Sequence, residues 1–313
     1  MVLHHDSKLV QNLLLKNELL RNGDKKHEKI RPVLVILGGC MRGVSGAGSA
    51  IAFHLLGIAD VFDVVVGTST GAGIGAYFLS GLEQALLGTS IYYQELPPRF
   101  IKYFRSPVVD IDFVEELLRD GKKKLDTETI RMARSEFFVG VTDTEDGNHA
   151  LLDTKTARPD LVSAIKASMA MAGLSSGSVV VNGRQYIDSG GYPFPIREVV
   201  HQFKPTDVLL LPNCTRQRGE SWVPTLMEKL CGALCMRSVT PKLRELWQLR
   251  YQRWRNDLKF FQQLQGVNKG ILWAPREVRL LEKNTSRLYT AVQESVQQTL
   301  TVFGQSEKKF DLL

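Results

Sequence analysis

The sequence has little of what marks secreted miniproteins, membrane spans or metal sites. Cysteine occurs only four times in 313 residues, at Cys40, Cys214, Cys231 and Cys235. That is too few, and too irregular in spacing, for a disulfide scaffold. The Cys231/Cys235 pair has neither a nearby histidine nor a second cysteine pair to complete a zinc site. The thiols read as reduced, in a cytosolic-type protein. No stretch reaches the ~18 uncharged apolar residues that a membrane span requires, and the longest candidate, residues 64–79, is rich in Gly and Thr. The N-terminus carries Asp6 and Lys8 and no small-residue cleavage pattern, so no secretory signal is expected. Internal repeats and low-complexity segments are absent. What remains is ordinary globular composition, 43% hydrophobic and 23% charged residues, which excludes disordered and fibrous classes. A chain of this length can bury a core without staples.

Charge is uneven. Residues 1–214 hold 23 basic and 24 acidic side chains, and residues 215–313 hold 17 and 9, so the net charge of +7 comes entirely from the last third. Residues 1–30 read as a helical appendage carrying Leu9, Leu13, Leu14 and Leu20. Residues 31–214 read as the core, and residues 215–313 as a basic, mainly helical extension packed on it.

Three short apolar runs, 33–37, 61–66 and 208–211, have the unbroken hydrophobicity of strands covered on both faces of a parallel sheet. The first two lead into helical stretches, 47–56 and 70–79, which gives the strand–loop–helix alternation of an α/β fold. Residues 136–141 and 150–153 read as a hairpin at one side of the sheet. Residues 159–171 read as a helix, and Asn182-Gly183 marks a type I′ turn between 179–181 and 185–187. The fold expected is a three-layer α/β/α domain with a mixed, largely parallel sheet and a helical C-terminal extension.

Three segments carry chemistry. Gly67-Thr68-Ser69-Thr70-Gly71 sits between a buried strand and a small-residue helix, the context in which a Gly-x-Ser-x-Gly turn projects a serine hydroxyl. The competing reading is a tight turn whose glycines only permit close packing. Gly38-Gly39-Cys40-Met41-Arg42-Gly43 follows the first strand and can aim backbone N–H groups at an oxyanion; it does not fit the phosphate-loop pattern G-x-x-x-x-G-K-[ST]. Asp188, in Ile187-Asp188-Ser189-Gly190-Gly191, can act as base toward Ser69 or cap the helix that follows.

In this order and spacing the three segments resemble the patatin-like family of serine acyl hydrolases, with its glycine-rich oxyanion loop, its Gly-x-Ser-x-Gly elbow and its Asp-Gly-[Gly/Ala] motif. The resemblance covers about residues 31–214 and takes in Ala167 to Gly173 and the run into Asp188. It implies Ser69 as nucleophile, Asp188 as its base, and the Gly38, Gly39 and Cys40 backbone as the oxyanion hole. Arg42, Gly43, Gly67, Gly71 and Gly190 would support the motifs. The implied substrate is a lipid ester, hydrolysed without cofactor or metal. Two residues depart from the pattern, Cys40 for the third loop glycine and Ser189 for the glycine after the aspartate. Cys40 can still offer its N–H if its φ is negative. The alternative is a catalytically degenerate lipid- or membrane-binding scaffold of the same fold.

A Ser69–Asp188–His201 triad is the histidine solution, but His201 falls on a helix surface. Asp143, Glu145 and Asp146 lack the spacing of a calcium loop. In residues 241–264, Leu243, Trp247, Trp254, Leu258 and Phe261 recur at helical spacing among arginines, which fits packing over the sheet better than lying on an anionic membrane. Peripheral contact with such a membrane through the basic third is the partner expected beyond the lipid. Nucleic acid is not expected, since no recognition fold is present.

Overall fold

The computed structural model describes residues 3–5, 7–102, 107–155, 160–175, 177–221 and 240–305. Cys231 and Cys235 lie outside the described residues. A single mixed sheet runs β1 (Leu3–His5), β9 (Asn268–Leu272), β8 (Asp207–Leu211), β2 (Pro32–Ile36), β3 (Val64–Thr68), β4 (Glu136–Asp143), β7 (Arg184–Asp188), β6 (Val179–Val181), with β5 (His149–Asp153) branching from β4. The five central strands β9, β8, β2, β3 and β4 are parallel. The strands β2, β3 and β8 are buried at every position because helices cover both faces.

The helices are α1 (Ser7–Arg21), α2 (Val44–Leu55), α3 (Thr70–Leu79), α4 (Leu82–Gln94), α5 (Leu96–Arg99), α6 (Ile111–Arg119), α7 (Thr127–Met132), α8 (Leu161–Met169), α9 (Ile196–Phe203), α10 (Arg216–Glu220), α11 (Pro241–Gln263) and α12 (Thr285–Val302). Alternate strand residues sort into two cores. Leu34, Ile36, Val65, Leu209 and Leu211 pack with α1–α8 and α12, whereas Val33, Val35, Val64, Val66, Val208 and Leu210 pack with α9 and α11. The result is the three-layer α/β/α fold expected. At the centre of the thicker layer, the Phe53 ring lies 5.6 Å from Phe62, 6.3 Å from Phe78 and 6.0 Å from Phe303, at the tilted or edge-on angles aromatic rings favour.

Several details depart from the sequence reading. The first thirty residues are part of the fold rather than an appendage: β1 closes one sheet edge, Leu9 and Leu13 are buried, and the buried Lys16 ammonium is tied to Ile30 O and the Asp63 carboxylate. The C-terminal third packs on the core as expected, supplying β9 to the sheet and burying α12 against α2. β4 is interior to the sheet, parallel to β3, so only its partner β5 stands off the main order. The apolar stripe of α11 (Leu243, Leu246, Trp254, Leu258, Phe261) is spent on packing, as its spacing suggested. No helix among the described residues is long and apolar enough to cross a membrane.

Phe53 is fully buried among aromatic rings that cannot collapse into its place. Phe53→Ala is expected to cost about 3–5 kcal/mol, read as a lower midpoint in urea with the m-value unchanged. A loss below about 1 kcal/mol would mean that this aromatic cluster is not a packed core.

Candidate active site

The register of β4 puts the chemistry in one place. Its residues 136–140 pair with β3 and its residues 138–142 with β5, so these two strands occupy opposite edges. β7 pairs with 141–143 while β5 still occupies the other edge, so it takes the edge that β3 has just left. Thr68 ends opposite Gly140 and Asp188 ends opposite Val141. The residue after Thr68 and the last residue of β7 therefore meet head-on.

That residue is Ser69, at φ 53° and ψ −128° between β3 and α3. A β-carbon-bearing residue at positive φ is strained by about 1–3 kcal/mol, and the surroundings hold it there. Its N–H donates to the buried Ser168 Oγ at 2.7 Å, and that hydroxyl donates to Gly140 O at 2.5 Å. A Cβ at Gly71 would lie 2.1 Å from Ile36 O, so only glycine lets α3 start this close to β2. Gly67 is pressed equally hard against Ala72, and Gly43 against Thr70 and Tyr92. Gly190 lies under Trp247.

The glycine loop leaves β2 beside Ser69; a Cβ at Gly38 would fall 2.7 Å from that of Ser69. The Gly38 N–H already donates to Thr68 Oγ1 at 3.1 Å, so it is not one of the donors left for an oxyanion. The Gly39 and Cys40 amides make no hydrogen bond to another described residue. Gly39 has φ 150° and Cys40 φ 52°. The negative φ under which cysteine would be a neutral replacement is not met, and Cys40 occupies a backbone conformation suited to glycine. Burial pushes its thiol up to about 12, so the sulfur is a neutral wall atom and not a nucleophile.

Asn213 holds the loop from β8. It is buried, with φ 56°, and its Nδ2 donates to Leu37 O at 2.5 Å while its Oδ1 accepts from Gly46 N at 2.8 Å. One side chain thus clamps both ends of the loop. Arg42 organises the far side, its Nε donating to Val278 O at 3.1 Å and lying 3.9 Å from Glu277.

Asp188 is buried, with a carboxyl raised to about 6. Desolvation raises it, and the nearby Ser69 side chain and Gly190 amide act in the opposite direction. Its Oδ2 has no partner among the described residues.

Histidine has no visible part. His201 is exposed on α9. His54 Nε2 lies 2.9 Å from Phe78 O. His149 is buried beside Tyr192, and desolvation lowers it to about 4, so it stays neutral. No described cluster of His, Cys, Asp or Glu could hold a metal ion. Asp143 and Asp146 instead accept from the amides of their own turn.

Two cavities meet at Ser69. The first runs under α2, α3 and α4 and is walled almost wholly by apolar groups such as Ile74, Ile91, Leu96, Phe100 and Leu118. The second opens between the glycine loop, Asp188 and α11. Cys40, Ser69, Met171, Leu174 and Leu280 border both. Ser168, Thr68 and Asn213 were not singled out from the sequence. Nothing local in the sequence marks Asn213 as a clamp.

The description "Patatin-like phospholipase" belongs to the family model that matches residues 34–200, a span holding the glycine loop, Ser69 and Asp188. No curated protein matches the sequence. Among solved structures, VipD from Legionella pneumophila is 12% identical at a TM-score of 0.49, covering 90% of this chain and 68% of its own. A chain of the full-length SpcU–ExoU complex from the type III secretion system of Pseudomonas aeruginosa is 14% identical at a TM-score of 0.35, covering 87% and 60%. With more than half of its length matched by the family model, the chain belongs to the patatin-like phospholipase family.

Proposed function

We propose that the protein is a serine-dependent lipid acyl hydrolase working through a Ser69–Asp188 dyad. The observation that carries this reading is the strained serine at the junction of an apolar cavity and a cleft that Asp188 and three arginines border, with the buried Asp188 carboxyl raised to about 6 beside it. An acyl chain enters the apolar cavity and its ester carbonyl sits over Ser69. The Ser69 Oγ attacks that carbon while its proton passes to Asp188. The resulting oxyanion accepts hydrogen bonds from the Gly39 and Cys40 amides. Asp188 returns the proton to the leaving alcohol, and the acyl group stays on Ser69. A water then gives its proton to Asp188 and attacks the acyl-enzyme, and the fatty acid leaves as Ser69 recovers its hydrogen.

The environment of Asp188 suits this work. A carboxyl at its ordinary value would be a weak base, whereas one raised to about 6 is still ionised at neutral pH and accepts a proton more readily. Peripheral membrane contact, in this reading, uses the exposed basic residues of α11 such as Lys242, Arg255 and Lys259, because the apolar stripe of that helix is already buried. The scaffold reading draws on one observation, the positive φ of Cys40. Its amide nevertheless makes no hydrogen bond to another described residue, and an amide is all the oxyanion requires of it.

Ser69→Ala and Asp188→Asn are each expected to abolish hydrolysis of a 4-nitrophenyl ester and fluorophosphonate labelling of Ser69. Full activity in Ser69→Ala would sink the mechanism. For the wild type, kcat/KM should fall with a slope of one proton as the pH drops below about 6.

The same shift has a stability consequence. A carboxyl with a folded value above its unfolded one binds more protons in the native state. Wild-type stability therefore declines as pH rises from about 4 to about 6. Asp188→Asn should remove that decline, melting above wild type at pH 8 and close to it at pH 4. Identical melting profiles would show that Asp188 is not held in a desolvated site.

Cys40→Gly should relieve a strain of about 1–2 kcal/mol, raising the melting temperature without lowering turnover. A protein inactive as wild type and active as Cys40→Gly would instead establish the scaffold reading.

A further inference from the structure

The chain turns sharply after Asp188, at Ser189–Gly191, and α11 lies across that turn. A Cβ at Gly190 would fall 2.7 Å from Trp247 Cζ3 and 2.9 Å from Asp188 Oδ1, so the indole and the carboxyl share one side of a residue that has no side chain. A Cβ at Gly191 would meet that of Leu246 at 3.3 Å. One helical turn on, Arg253 Nη1 donates to Gly191 O at 3.2 Å, and its guanidinium carbon lies 4.4 Å over the Tyr192 ring. The indole is itself fixed. Its Nε1 is buried, the Arg250 guanidinium carbon lies 4.2 Å over the ring, and Arg250 Nη1 donates to Trp247 O at 2.6 Å. Trp247 and Asp188 both border the cleft beside Ser69, and both also border a second, smaller cavity walled by Thr142, Ile187 and Leu243. The turn under the ring carries the Gly190 amide, which acts on the Asp188 carboxyl. A helix far along the chain from the three motif segments thus supports the residue that serves as base.

Resting on the hydrolase reading above, we infer that Trp247 is a positioning residue for the base: its ring packs the Ser189–Gly191 turn against Asp188, keeps the carboxyl aimed at Ser69 and excludes water from it. Trp247 touches no reacting atom. Without the ring, water reaches the carboxyl and the turn loses the surface it rests on. Asp188 then becomes a weaker base, because desolvation is the main cause of its raised value, and its aim at Ser69 loosens. The other titratable groups around it do not change charge over the same pH range. The Cys40 thiol stays neutral, Arg42, Arg218 and Arg250 stay charged throughout, and His149 on β5 stays neutral above about 4.

The acid limb of kcat/KM on a 4-nitrophenyl ester tests this. Trp247→Ala should lower kcat by about 10–100-fold with little change in KM, and should move the limb from about 6 to lower pH by about one unit. Trp247→Phe keeps an aromatic ring over Gly190 and should hold the limb near its wild-type place. Loosened packing alone would cost rate without moving the limb, so a folded Trp247→Ala whose limb stays at about 6 overturns the inference whatever its rate. A limb displaced as far in Trp247→Phe as in Trp247→Ala overturns it too. Trp247→Gln, which keeps a long side chain on the helix while admitting water, replaces Trp247→Ala if the latter fails to fold. Failure of the hydrolase reading is distinct, since wild type would then hydrolyse no ester at any pH. Melting curves decide the role of Trp247 in that case. The gain in melting temperature that Asp188→Asn brings at pH 8 over pH 4 should be smaller in the Trp247 variant than in wild type. An equal gain in both backgrounds overturns the inference.

Discussion

The structure turns on how far β4 extends beyond its neighbour. β3 stops opposite Gly140, β4 continues, and the antiparallel β7 fills the vacated edge so that its last residue faces the end of β3. Backbone pairing, fixed to a single residue because β3 and nearly all of β4 are buried on both faces, thus sets the distance between the two groups that must exchange a proton. The same strand supplies the carbonyl of Gly140, which holds Ser168, which in turn holds the Ser69 amide. A slip of one residue in β4 would separate the dyad and break the chain of hydrogen bonds that stabilises the serine's unfavourable backbone. Placement and strain have one origin.

Backbone approach sets the other half of the site. The start of α3 lies against the Ile36 and Leu37 carbonyls, and the glycine loop lies against Ser69, with contacts that a single Cβ would forbid. Loops that leave the carboxyl ends of neighbouring parallel strands in opposite directions create a crevice there, and this is where β2 and β8 part. Asn213, at the end of β8, fills the crevice with a side chain that satisfies a carbonyl on one side of the loop and an amide on the other. With those ends clamped, the Gly39 and Cys40 amides are engaged by no other described residue, at the cost of a cysteine in a conformation better suited to glycine.

Legibility in the sequence followed the length scale of each interaction. The helix 70–79 coincides with the residues expected, because small-residue periodicity is local. The Asn182-Gly183 turn has positive φ at both residues, 49° and 81°, as a type I′ turn demands. The hairpin of β4 and β5 was legible, but not that β4 lies inside the sheet and parallel to β3, because hydrophobicity reports burial, not which edge pairs with which strand. Likewise the N-terminal helix looked detachable, since nothing local links Lys16 to Asp63, 47 residues away. In the site, the glycine motifs announced the turns, but the engagement of the Gly38 amide by Thr68 and the clamp at Asn213, 167 residues from Gly46, exist only in the folded chain.

The two cavities differ electrostatically. The apolar one surrounds Ser69 with low dielectric on the side where Asp188 is already desolvated, which raises the carboxyl and strengthens any hydrogen bond offered to a developing oxyanion. Carried to its end, this would leave Asp188 protonated at neutral pH and useless as a base. The Ser69 side chain and the Gly190 amide oppose that tendency, since both favour the carboxylate. A base poised at about 6 is the balance between desolvation and these two neighbours. The dryness that strengthens an oxyanion contact and the basicity of Asp188 therefore cannot be tuned independently.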